Sequence, residues 1–155
     1  MYKLNFDGAS KGNPGPASYG GICRDHSGRI LSIFLGSLGS KNNNSAELEG
    51  LICGFEILIR GGYFSAIIEG DTRVLIQMAK KMVNGKDCTK VAMSWHLASR
   101  MDSLKTMFRA QSDVTFCHVK RTANKAANLL ANANVEGDAG LRIGSLEEFN
   151  ADAWA

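Results

Sequence analysis

The chain has 155 residues, 45% of them hydrophobic and 21% charged, a composition that supports one globular domain with its own core. No apolar run reaches the roughly 18 residues of a membrane helix and no secretory leader is visible after Met1, so a membrane-spanning or secreted chain is disfavoured and an intracellular one expected. The net charge of +3 conceals a split: residues 72–125 hold eleven Lys and Arg against three acids, a balance of +8, which leaves −5 elsewhere.

A basic half beside an acidic half suits a protein that grips a polyanion with one surface and cations with another. Lysines and arginines also serve simply to solvate helix faces, so charge alone leaves both readings open.

Tyr2 to Asp7 reads as a strand, followed by a polar turn to Pro16 that holds three glycines and both prolines of the chain. Ser18–Arg24 and Arg29–Leu38 read as two more strands, joined by Asp25-His26-Ser27-Gly28, which has the Asp, Ser and Gly of a hairpin turn. After the polar stretch 39–45, Leu48, Leu51, Ile52, Phe55, Leu58 and Ile59 recur at spacings of three and four. They predict a helix from Ala46 to about Arg60, stopped by Gly61-Gly62. Phe64–Glu69 is a short apolar strand ending in Gly70-Asp71. A second helix is expected from Thr72 to about Val83, with Val74, Leu75, Met78 and Met82 inward, and a third, basic one from Thr89 to about Ala110. Val114–Val119 is the last strand and Thr122–Asn132 the last main helix, while Leu146–Trp154 carries a faint helical pattern.

Three strands followed by alternating helices and strands predict a mixed α/β sheet with helices on its faces. Residues 1–135 are expected to form the domain, with 136–155 a tail docked on it. Cys23, Cys53, Cys88 and Cys117 stand among apolar neighbours without zinc-like spacing, and are expected as buried free thiols of a reducing compartment.

Three acids stand where such a sheet brings side chains together: Asp7 at the end of the first strand, Glu47 in the first turn of the first helix, and Asp71 after the fourth strand. Gathered carboxylates repel one another and call for cations between them. Hard oxygen ligands select Mg²⁺ or Mn²⁺, and two such ions serve phosphodiester hydrolysis. Each acid also has a plain local reading. Asp7 caps the turn, Glu47 completes a capping box with Asn44, and Asp71 starts the second helix.

Asp7 to Gly15, Asn42 to Leu48 and Ile68 to Asp71 together resemble the ribonuclease H family, type 1. The segment His118–Ala131, the hairpin Gly20–Ile30 and the tail Glu147–Trp154 are similar to its plant, retroelement-like branch. The resemblance covers almost the whole chain. It implies a five-stranded mixed sheet, three antiparallel strands followed by two parallel ones, with helices on both faces. It implies metal-dependent cleavage of the RNA strand of an RNA/DNA hybrid, leaving a 3′-hydroxyl and a 5′-phosphate, with Mg²⁺ or Mn²⁺ as cofactor and two ions bound beside substrate. Asp7, Glu47 and Asp71 match three of the family's metal-binding acids. Ser10, Asn13, Asn43 and Asn44 match positions that touch the hybrid near the cut, and Asn42 matches one in a phosphate pocket on the DNA side. Amides and hydroxyls suit reading of a 2′-hydroxyl, and they also suit turns.

Two departures stand out. The family's fourth ligand is an aspartate, and the matching residue is Asn128, which brings an amide oxygen but no charge and is expected to weaken the second ion. The loop Lys120–Asn124 contains none of the histidine that many relatives carry there, while His118 sits earlier, on the strand. Lys120 and Arg121 are expected as phosphate contacts, and Lys80, Lys81, Lys86, Lys90 and Trp95 as looser candidates along the DNA backbone. The chain is expected to act as a monomer, either as a nuclease or, because of Asn128, as a catalytically impaired domain that binds hybrid or RNA. A proofreading-type exonuclease needs Asp-x-Glu on the first strand, and Asp7-Gly8-Ala9 lacks it.

Overall fold

Alternation along Tyr2–Ser10 (β1) sends Leu4 and Phe6 into the main core and leaves Asn5 and Asp7 to the opposite side chain set, all four of them buried. This strand is central to everything that follows. The computed structural model describes residues 1–85, 95–111, 113–133 and 140–145. Its elements continue as β2 (Gly15–Arg24), β3 (Ile30–Lys41), α1 (Asn43–Arg60), β4 (Ala66–Gly70), α2 (Arg73–Val83), α3 (Trp95–Ala110), β5 (Val114–His118), a 3₁₀ turn (Arg121–Ala123), α4 (Lys125–Ala133) and β6 (Gly140–Gly144).

The sheet runs β5-β4-β1-β2-β3-β6. β1, β2 and β3 form an antiparallel meander, while β4 pairs parallel with β1 and β5 parallel with β4. The predicted mixed α/β architecture is present, with one difference in strand number. Residues 140–144, expected in a tail, form a sixth strand antiparallel to β3. Gly-Leu-Arg-Ile-Gly is too short and too glycine-rich to announce a strand, and it becomes one because the outer edge of β3 offers it a ladder.

One face of the sheet is covered by α1, whose Leu48, Leu51, Ile52, Phe55 and Leu58 join Leu4, Phe6, Phe34 and Ile68 in the larger core. Each such side chain contributes roughly 1.5–3 kcal/mol by burial. α2 and α3 extend this core. Phe108 of α3 stands edge-on to Phe55 at 5.0 Å and to Phe116 at 5.3 Å. Arg100 of α3 also forks onto the Glu49 carboxylate of α1, with 2.5 and 2.9 Å contacts. On the other face, Leu130 of α4 packs with Ile22, Ile33 and Leu35 in a smaller cluster.

Two inward assignments from the periodicity are corrected. Val74 is exposed, and Ile76 and Ala79 take the buried face of α2, because the helix starts at Arg73 and its apolar stripe turns past Val74. Cys117 is exposed, unlike buried Cys23 and Cys53. The two-residue period of β5 turns Val114 and Phe116 inward and Thr115 and Cys117 outward. Among the described residues, no helix is long and apolar enough to cross a membrane. Cys88, Lys86, Lys90, the Trp95 side chain and the expected helix at 146–154 lie outside the described residues.

Candidate active site

Three elements deliver three carboxylates to one spot. Asp7 comes from β1, Asp71 follows β4, the parallel neighbour of β1, and Glu47 comes from the first turns of α1. Each offers an oxygen within 4.8 Å of the other two. The close seating of α1 depends on Gly8. A Cβ there would stand 2.3 Å from the backbone of Ala46 and Glu47, so any side chain would push α1 and its carboxylate away from Asp7.

The local readings of these acids are displaced by what the backbone does. Asn42, not Asn44, caps α1, its Oδ1 accepting the Ser45 N–H at 2.8 Å. Glu47 is thereby released from a capping box and points into the cluster. Thr72, not Asp71, occupies the cap position of α2.

Asp7 is wholly buried, its Oδ1 accepting the Gly8 N–H at 2.9 Å. Glu47 is also buried, and its Oε2 has no hydrogen-bond partner. Burial first, and the neighbouring Asp7 second, push the Glu47 carboxyl up to about 10. Asp71 is raised as well, by burial and then by Asp7, while Arg121, 3.5 Å away, pulls it back. A buried carboxylate oxygen left without a donor, beside two further acids, is a costly arrangement for a bare protein. It fits a hard divalent cation, which would satisfy Glu47, Asp7 and Asp71 together.

The fourth position behaves differently. Nδ2 of Asn128, on α4, donates to Oδ2 of Asp7 at 2.8 Å. An amide nitrogen does not ligate a cation, so in this arrangement Asn128 serves Asp7 as a hydrogen-bond donor, at the place where a carboxylate would repel it. α4 reaches this close because residue 20 is glycine: a Cβ there would lie 2.8 Å from the Ala131 nitrogen. The Ser18 hydroxyl adds a bond to the Ala131 carbonyl.

Above the acids lies an open cleft of about 680 Å³, walled by the end of β1, the start of α1, the junction of β4 with α2, and the segment after β5. Ser10, Asn43, Asn44, Lys120 and Arg121 line it together with Glu47 and Asp71. Asn13 and Asn42 stand behind this wall. Asn13 Oδ1 accepts the Asn43 N–H at 3.0 Å, latching the first turn to the start of α1, and the Ser10 hydroxyl donates to the Lys41 carbonyl at the end of β3 at 2.8 Å. Lys80 and Lys81 are exposed at the end of α2.

Sequence reasoning passed over several residues here. Thr72 reaches Glu47 with its side chain. Asn132 lines the cleft and donates to the Asn128 carbonyl at 2.8 Å. His118, already noted on the last strand, sets its Nε2 3.1 Å from the Asp71 carbonyl and also faces the cleft. Each could have been sought by asking which polar side chains flank a proposed ligand.

The sequence and fold resemble those of known proteins. A family model described as reverse transcriptase-like matches residues 5–134. The chain is 33% identical over 127 residues to a ribonuclease HI of Halobacterium salinarum, covering 82% of the chain and 60% of that protein. The crystal structure of RNase H1 from the same archaeon superposes with a TM-score of 0.70 at 30% identity, over 84% of this chain and 94% of that one. LC11-RNase H1 in complex with an RNA/DNA hybrid shares the fold, with a TM-score of 0.74 at 23% identity over 88% and 97% of the two chains. The chain thus spans less than two thirds of the first curated relative it matches.

Proposed function

Because the chain belongs to the ribonuclease H family, we propose that it cuts the RNA strand of RNA/DNA hybrids, leaving a 3′-hydroxyl and a 5′-phosphate, with two Mg²⁺ or Mn²⁺ ions beside bound substrate. The observation that carries the reading is the buried, unpartnered Oε2 of Glu47 within reach of Asp7 and Asp71. A cation there would displace the proton that burial and Asp7 hold on Glu47.

When bound, the cations would supply charge neutralisation and water activation at the scissile phosphate. The protein's own residues do the rest. Asp7, Glu47 and Asp71 would hold the ions, to which Asn128 could add at most a neutral amide oxygen. Asn43 and Asn44 offer amides, and Ser10 a hydroxyl, to the sugar edge of the RNA strand. Asn13 holds the β1–β2 turn in place for them. Asn42 caps α1 through Oδ1, which leaves its Nδ2 as the donor for a phosphate. Lys120 and Arg121 would meet the backbone of the hybrid.

A second reading follows from the Asn128–Asp7 hydrogen bond, which stabilises the cation-free cluster. A domain stable without metal would bind hybrid without cutting it. Incubation of the chain with a labelled RNA/DNA hybrid in Mg²⁺ and in Mn²⁺, beside Asp7→Asn, separates the two. Cleavage lost in Asp7→Asn is the expected result. Tight binding with no cleavage under either metal would select the second reading.

A further inference from the structure

Beneath the acid cluster lies a second polar layer, built on β1, β4 and the start of α4. Asn5 precedes Asp7 by two on β1, Glu69 precedes Asp71 by two on β4, and Asn124 precedes Asn128 by four at the start of α4. The periods of strand and helix place each of these directly below a residue of the cluster. The layer is joined throughout. Nδ2 of Asn5 donates to Glu69 at 2.9 Å and to Oδ1 of Asn124 at 3.1 Å. Lys3 pairs with Glu69 at 3.1 Å, closing the charge account of the layer.

Asn124 is the hinge pin of this arrangement. Its side chain is 1% exposed, among the most buried in the molecule, although asparagine is usually a surface residue. Nδ2 donates to the Phe6 carbonyl at 2.9 Å, the peptide that leads into Asp7. The β1–β4 ladder has ended one residue earlier, at Asn5 and Glu69, so Asn124 takes over where the sheet stops. The Asn124 carbonyl meanwhile accepts the Asn128 N–H at 3.0 Å and opens α4. A single residue therefore binds the strand of Asp7 with its side chain and the helix turn of Asn128 with its backbone.

We propose that Asn124, supported by Asn5 and Glu69, is the positioning residue that sets Asn128 against Asp7 and so fixes the fourth ligand position. The inference rests on the metal-dependent reading of the site. Its physical need comes from Asn128 being neutral. A carboxylate is drawn to a cation by charge over several ångströms, whereas an amide acts only at contact, so its placement falls to the scaffold. Positioning partners of ligands typically change metal affinity by 10–100-fold.

The test is a double-mutant cycle on Mn²⁺ affinity, read by calorimetry or by electron paramagnetic resonance. Asn124→Ala is expected to weaken Mn²⁺ binding by about tenfold, within the range for such partners. In an Asn128→Ala background the same change should cost nothing more. With activity followed in parallel, kcat should fall while KM for the hybrid holds. A folded Asn124→Ala with unchanged Mn²⁺ affinity would overturn the proposal, and so would losses that multiply in the double variant. Asn124→Ser, which keeps a hydroxyl donor in a small side chain, carries the same cycle if the alanine variant does not fold, with the weakening in the same direction. Absence of Mn²⁺ binding by the parent chain would instead overturn the metal-site reading on which the proposal stands, and the proposal with it.

Discussion

The amide of Asn128 and the carboxylate of Asp7 are hydrogen-bonded at 2.8 Å, so the residue that lacks a ligand's charge is also the one that holds the buried Asp7 without metal. Exchange for a carboxylate therefore has opposite effects in the two states. Asn128→Asp should lower stability in chelator by about 1–3 kcal/mol, the cost of stripping a buried acceptor of its donor. For a chain of this size that is about 2–4 °C of melting temperature per kcal/mol. The same variant should bind Mg²⁺ more tightly and cut at lower Mg²⁺ concentration. Melting curves with and without Mg²⁺ check both signs, and a variant more stable in chelator would contradict the geometry.

Removal of the central ligand should be more severe. Asp7→Asn takes away a charge worth several kcal/mol of cation and transition-state stabilisation. Cleavage should fall by about a thousandfold or more at 1.36 kcal/mol per tenfold. Stability in chelator should hold or rise, since one of three crowded carboxylates is neutralised. Hybrid cleavage rates and thermal melts together measure this.

The metal-free chain should lose stability as pH rises. Glu47 is held up to about 10 by burial and by Asp7, against 4.5 for an ordinary glutamate. The folded state therefore keeps a proton that the unfolded state releases, and this contribution is full below about pH 4.5 and fades as pH climbs toward 10. The raised Asp71 adds in the same direction. Glu47→Gln should flatten the slope, and saturating Mg²⁺ should flatten it as well. Urea denaturation in chelator between pH 5 and 9 would show it.

Gly8→Ala tests whether α1 must sit so close to β1. The added methyl would stand 2.3 Å from the Glu47 nitrogen. Overpacking of this kind costs about 1–3 kcal/mol. Because the displaced element carries Glu47, Mn²⁺ affinity should fall along with stability. A variant with native melting and native Mn²⁺ binding would show that α1 has slack the structure does not reveal.

Hybrid binding should weaken steeply with salt if the cleft wall meets phosphates. Lys120→Ala and Arg121→Ala are each expected to reduce the slope of log K against log salt by about 0.9. An unchanged slope in both would move the backbone contacts elsewhere.

Much of this was legible in the sequence because the site is built on strand ends and a helix start, where short motifs carry structural meaning. The Asp7 turn, the apolar period of α1 and the Gly70-Asp71 strand end pointed to three acids that the structure gathers within 4.8 Å. What escaped were relations that only packing creates. Asn44 and Glu47 had the spacing of a capping box, yet Asn42 took the cap, since the helix begins at Asn43. Asn5 looked like any polar residue of an alternating strand, and its partners at 69 and 124 are far along the chain. Residues 140–144 had no strand pattern of their own and borrowed one from β3.

That last pairing bears on how the chain can be handled. A version ending at residue 135 would keep every residue of the candidate site and lose β6. The stretch Ile33–Ser37 of β3 would then lose its ladder and present that edge to any passing strand. Such a shortened form is expected to associate edge to edge in proportion to its concentration, so the segment beyond the candidate site bears on self-association.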